Sequence, residues 1–262
     1  MIKPITKLTL LTAALLPLSA SAKPLFSVWT LDPLGPVGEM ATDKGKPFLK
    51  QRLIPFKLVR LSQPAQLTKG KALGAGTFLF AVYQSDGKLG FCTIKDQSGG
   101  HVAKSLFIPI LDQRPCLVDS DHDGKFEASF SVFDKYGSAL TPSGNLTAAK
   151  PILAPVAYET VAPQSVPVAR TFSYTLVRDA KKASHTIAVT YSFGGGEVNM
   201  ASYSPDSKPD APNALNVRAK VIESSETGAK IDVSLIPDLY LIGDSGGTFG
   251  AGPLPKFIGN SG

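Results

Sequence analysis

The stretch that decides the fold is Gly76–Lys95, "GTFLFAVYQSDGKLGFCTIK". Thr77 to Gln84 is a run of apolar and aromatic residues, and Leu89 to Ile94 is another. Between them Ser85-Asp86-Gly87-Lys88 carries the side chains and the glycine that a tight turn requires. Two β-prone runs joined by a four-residue turn predict a hairpin.

The same style recurs downstream. In "KFEASFSVFD", Phe126, Ala128, Phe130 and Val132 alternate with Glu127, Ser129 and Ser131. A strand with one face in a core and one in water has this period of two. Further runs, Thr171 to Arg178, Thr186 to Phe193, Leu215 to Glu223 and Lys230 to Leu235, are separated by Gly-, Pro-, Ser- and Asp-rich clusters such as "SPDSKPDAPN". Helical periodicity is hard to find after residue 22. Strands at this spacing without intervening helices indicate a sandwich or barrel, and the fold expected is all-β, an antiparallel β-sandwich of one large or two smaller packed sheets.

One segment differs. Ala148 to Arg170, "AAKPILAPVAYETVAPQSVPVAR", contains four prolines, which lack the N–H that a central strand donates. It is expected to be an extended connector over 148–170, between an N-terminal β domain (23–147) and a C-terminal β region (171–262). A long crossover within one larger β domain is the alternative.

The first 22 residues, "MIKPITKLTLLTAALLPLSASA", place Lys3 and Lys7 before an apolar run from Leu8 to Leu18, followed by Ala20, Ser21 and Ala22. This is the layout of a cleavable secretory signal, and the run is shorter than the ~20 residues a membrane anchor needs. The chain is therefore expected in the periplasm or exterior, starting at Lys23 with no membrane span. Loss of Lys3 and Lys7 lowers Lys+Arg from 27 to 25 against 21 Asp+Glu, a net charge of +4. The lysines are dispersed, with Lys181 and Lys182 adjacent, so the basic patch of a nucleic-acid binder is missing and no nucleic-acid partner is expected. Cys92 and Cys116 are an even pair in an exported chain and predict one disulfide closing a loop of 25 residues.

The richest chemical stretch is "CLVDSDHDGKFE", Cys116 to Glu127. Asp119, Asp121 and Asp123 alternate, Gly124 follows at once, and Glu127 lies three residues on. Three carboxylates in five residues repel one another unless a cation or solvent intervenes. Carboxylates that cap backbone amides in a solvated acidic turn are the alternative. At these residues the sequence resembles the D-x-D-x-D-G calcium loops of EF-hands, dockerins and thrombospondin-type repeats. The resemblance spans about nine residues. It implies Asp119, Asp121 and Asp123 as side-chain ligands, the Lys125 backbone carbonyl as another, Glu127 as a direct or water-mediated one, and calcium as a structural cofactor. The twelfth position, where an EF-hand places a bidentate glutamate, is Phe130. A complete EF-hand is thereby excluded, leaving a looser calcium loop within a β protein. A cysteine followed by such a loop also resembles secreted bacterial β proteins.

Near the carboxyl end, "LIGDSGGTFG" contains Gly243-Asp244-Ser245-Gly246-Gly247, which resembles the pentapeptide around the nucleophile of trypsin-like serine proteases. That chemistry needs a histidine and an orienting carboxylate. His101, His122 and His185 all lack the T-A-A-H-C context of that family, and the 17 residues after Ser245 leave no room for its specificity pocket. GDSGG is therefore expected to be a turn after the strand-like "LYLI", with no catalytic residue assigned. The function expected is an exported, non-enzymatic binding or structural protein with an unknown ligand or cell-envelope partner. The alternative is a secreted hydrolase acting on polymers.

Overall fold

The computed structural model describes residues 23–67, 71–94, 113–134, 140, 142–166, 170–179, 184–193, 196–203, 214–245 and 248–258. The expected signal (1–22), His101, Gly246 and Gly247 lie outside them. The first half of the described chain forms β1 (Leu25–Pro33), β2 (Gly38–Asp43), β3 (Pro47–Pro55), β4 (Leu58–Leu61), β5 (Ala65–Gln66), β6 (Ala72–Leu73), β7 (Phe78–Gln84), β8 (Leu89–Thr93), β9 (Gln113–Val118) and β10 (Lys125–Asp134). It continues with β11 (Pro142–Gly144), β12 (Lys150–Val161), β13 (Arg170–Asp179), β14 (Ser184–Phe193), β15 (Gly196–Tyr203), β16 (Val217–Ser224), β17 (Gly228–Leu235), β18 (Tyr240–Asp244) and β19 (Phe249–Gly252). The protein is all-β, and every strand pairing is antiparallel.

The hairpin expected at Gly76–Lys95 is β7–β8, in register from Leu79↔Thr93 to Tyr83↔Leu89. Its turn needs Gly87, whose φ of +85° suits a residue without Cβ. The hairpin belongs to a closed ring in which β7 pairs with β4, β4 with β12, β12 with β10, β10 with β9, β9 with β8, and β8 with β7 again. Closure leaves these six strands no unpaired edge, the usual solution for an antiparallel sheet. All six contribute to one apolar cluster, for example Val59, Leu79, Phe91, Leu117, Phe126 and Val156. Only the inside of a ring lets all its strands face one another, so this cluster fills the barrel.

The remaining strands build outward from β1. Its first residues pair with β7 (Leu25↔Gln84 to Ser27↔Val82), and its later ones with β3 (Trp29↔Pro55 to Pro33↔Gln51). Its other edge carries β18, which in turn carries β19. From β3 the sheet extends through β13 and β14 to β15. A separate three-stranded sheet, β16-β17-β2, supplies Val217, Ile231 and Val233 to the cluster that holds Phe172, Tyr174, Ile187 and Val189 of β13 and β14. Sheet packs on sheet here, beside a six-stranded barrel, so the sandwich expectation holds only in part. Full burial of each such Phe or Ile side chain is worth about 1.5 to 3 kcal/mol.

The segment 148–170 is not a connector. Lys150–Val161 forms β12, a member of the ring. Pro151, second in the strand, stays in the ladder opposite Ala128, whereas Pro155 is tolerated because the ladder is open around it. Pairing with β10 covers Lys125↔Ala157 and Phe126↔Val156, then resumes only at Ala128↔Pro151, so Pro155 falls in a bulge. Pairing with β4 is confined to Tyr158–Val161, beyond both prolines. Nor does 148–170 separate two sets of sheets. Strands from before it pair with strands from after it in β1–β18, β3–β13 and β2–β17.

Candidate metal site

The loop between β9 and β10 begins at Asp119, one residue after β9 ends, and closes at Lys125, where β10 starts. Within it His122 has φ +62° and Gly124 φ +86°. Two left-handed residues in three curl the chain so that the odd-numbered carboxylates converge. One ligand atom from each of Asp119, Asp121, Asp123 and Glu127 lies within 4.8 Å of all the others. This acidic group could hold a metal ion.

Part of the carboxylate capacity goes to the loop itself. Asp121 accepts from the Asp123 amide (3.3 Å), Asp123 from the Lys125 amide (2.8 Å), and Glu127 from the Ser120 amide (3.0 Å). These contacts are those of the acidic-turn reading, and they fix the loop without exhausting the lone pairs of any carboxylate. Lys125 reaches back to Asp123 with its ammonium, 3.0 Å from Oδ2. That contact holds the Asp123 carboxyl below its usual range and raises the lysine. It is also the charge an incoming cation would displace.

Asp119 is different in kind. It is only 5% exposed. Its Oδ2 accepts from the Gly124 amide (3.1 Å) and from the Tyr158 hydroxyl (2.8 Å). Its Oδ1 is buried and has no hydrogen-bond partner. A buried carboxylate oxygen without a donor is costly, and such atoms are rare in folded proteins. The cluster thus contains both a concentration of negative charge and a specific atom lacking a partner.

Tyr158, from β12, is the residue the sequence did not flag. Its ring stacks on Phe126 with centroids 4.2 Å apart and lies 5.7 Å from Phe91, so the phenol that holds Asp119 is rooted in the barrel core. Burial, then the bond to Asp119, pushes its hydroxyl well above the usual tyrosine range. No motif could have found it, because it is 39 residues from Asp119 and sits in the proline-rich segment.

Cys92 and Cys116 form the expected disulfide, joining paired positions of β8 and β9 three residues before Asp119. Both cysteines are fully buried. The staple and the acidic loop therefore order the same end of β9.

Of the GDSGG stretch, Gly243 and Asp244 end β18 and Ser245 follows, while Gly246 and Gly247 lie outside the described residues. Asp244 accepts from the Thr248 amide (3.2 Å) and hydroxyl (2.5 Å), and the Ser245 amide donates to the Leu25 carbonyl (2.9 Å). His185 lies in β14 with a ring nitrogen 3.1 Å from Ser224 Oγ, and His122 lies in the acidic loop. No helix among the described residues is long and apolar enough to cross a membrane. No family model, curated protein or solved structure matches the chain.

Proposed function

We propose that the chain is an exported, non-enzymatic binding or structural β protein of the periplasm or exterior, whose β9–β10 loop is ordered by calcium. The observation that carries the calcium reading is the buried, unpartnered Oδ1 of Asp119 inside a group of four carboxylates. All-oxygen, carboxylate-rich ligation suits a hard cation, and a flexible loop that leaves room for water favours calcium over the stricter octahedral demands of magnesium. The disulfide beside the loop supports an oxidising compartment. It also supports a structural role, since staple and ion would stiffen one corner of the barrel.

The test is thermal unfolding with and without calcium. A ligand at one hundred times its Kd stabilises by about 2.7 kcal/mol, which for a chain of this size raises Tm by roughly 5 to 10 °C. Asp121→Ala is expected to abolish the rise. An unchanged Tm at about 20 mM calcium, well above the roughly 1 mM Kd of weak extracellular sites, would remove the calcium reading.

A further inference from the structure

The hairpin of β9 and β10, with the acidic loop at its turn, joins the rest of the ring along two seams. On the β9 side, the ladder to β8 covers two residue pairs among the described residues, Phe91↔Leu117 and Cys92↔Cys116, and the disulfide crosses it. On the β10 side, the ladder to β12 runs through Lys125↔Ala157 and Phe126↔Val156, breaks, and resumes only at Ala128↔Pro151. No covalent bond reinforces this second seam. An interrupted ladder has fewer backbone bonds to resist local opening.

Tyr158 stands where that seam meets the acidic loop. It is the first residue of β12 to pair with β4, opposite Leu61, so the strand passes there from one neighbour to the other. Its amide donates to the Gly124 carbonyl at 3.2 Å, and its hydroxyl donates to Asp119 Oδ2 at 2.8 Å. Its ring is stacked on Phe126, with centroids 4.2 Å apart, so the hydroxyl is fixed in direction by the barrel core. Oδ2 of Asp119 therefore has two donors, Tyr158 and the Gly124 amide at 3.1 Å. Oδ1, buried and without a hydrogen-bond partner, is left as the oxygen for an ion. Donors that orient a ligating carboxylate in this way are worth roughly ten- to a hundredfold in metal affinity.

Resting on the calcium reading above, we infer that Tyr158 is a positioning residue of the cation site, and that through its bond to Asp119 an ion in the loop holds β12 against β10. Linkage makes the two effects one: whatever the phenol adds to ion affinity, the ion adds to the closed seam. The ion is thus the non-covalent counterpart, on the β10 flank of the hairpin, of the disulfide on the β9 flank.

The experiment compares wild type with Tyr158→Phe, which keeps the stacked ring and removes only the hydroxyl. Calcium affinity is measured by calorimetry, ion-free stability by thermal unfolding, and opening of the seam by hydrogen–deuterium exchange at the Tyr158 amide of the wild type. Tyr158→Phe should bind calcium at least about tenfold more weakly. Its ion-free melting temperature should fall by no more than about 4 °C, the loss of one hydrogen bond. Saturating calcium should slow exchange at the Tyr158 amide at least about threefold. Calcium binding by the variant within about threefold of the wild type, or tighter, overturns the inference alone. So does an ion-free melting temperature that falls further than stated, which makes Tyr158 a structural residue of the ring, or exchange that calcium leaves unchanged. Absence of calcium binding to the wild type removes the calcium reading and this inference together.

Discussion

Replacing Gly243 by alanine tests the close packing of β18 against Leu140. A Cβ built at Gly243 would sit 1.5 Å from the carbonyl oxygen of Leu140. Non-bonded heavy atoms are comfortable near 3.5 Å, so the backbone would have to part by about 2 Å. That oxygen is not free to move. It accepts the hydroxyl of Ser27 at 2.6 Å, and Ser27 Oγ in turn accepts the indole N–H of the fully buried Trp29 at 3.0 Å. Overpacking costs about 1 to 3 kcal/mol, and breaking a buried hydrogen bond adds about 1 to 3. Gly243→Ala should therefore destabilise by about 2 to 6 kcal/mol, a fall in Tm on the order of 10 °C for this chain length. Ser245→Ala, beside it, should stay within about 0.5 kcal/mol, because among the described residues only the Ser245 backbone makes a hydrogen bond. Thermal unfolding by circular dichroism reads both. A Gly243→Ala protein melting within a degree of the wild type would refute the close-packing explanation of this glycine.

Two other outcomes follow from the core. Replacing both Cys92 and Cys116 by alanine should cost about 3 to 4 kcal/mol in the chain-entropy account of the loop they close; stability equal to that of the wild type under oxidising conditions would show that the bridge does not constrain the unfolded chain. At high pH the buried tyrosines should destabilise the fold. Burial pushes Tyr191 up to about 12, partly opposed by Arg170 and Arg114, and it raises Tyr83 and Tyr174 further. Because the folded state keeps these phenols neutral while the unfolded chain ionises them near 10, their contribution is intact below about pH 10 and is lost as pH rises towards 12 and beyond. Tyrosinate absorbance and melting temperature measured together should show this, and complete ionisation near pH 10 in a still-folded protein would contradict it.

The strands were legible where the chain alternates or where a turn brackets an apolar run. β10 spans Lys125–Asp134, matching "KFEASFSVFD", and β13, β14, β16 and β17 fall within a few residues of the expected runs. Within β10, however, the alternation concealed a change of core. A register shift between Phe126 and Ala128 places Phe126 in the barrel interior and Phe130 and Val132 in the other cluster. A bulge of this kind depends on the partner strand, so no local pattern encodes it. The prolines of β12 hid the strand that closes the ring for the same reason: whether a missing N–H matters depends on which neighbours are opposite. The clustering of the four carboxylates was legible because they lie within nine residues of sequence. Tyr158 was not, because its link to Asp119 exists only once the ring is closed.

The calcium reading rests most directly on Asp119. Titration of the protein with calcium, followed by equilibrium dialysis or calorimetry, should give one ion per chain with Kd at or below about 1 mM. Asp119→Asn, which keeps the volume and can still accept from Tyr158 while removing the charge on the buried oxygen, should weaken that binding by at least about tenfold. No binding to the wild type at millimolar calcium, or equal binding to wild type and Asp119→Asn, would contradict a loop built around that carboxylate.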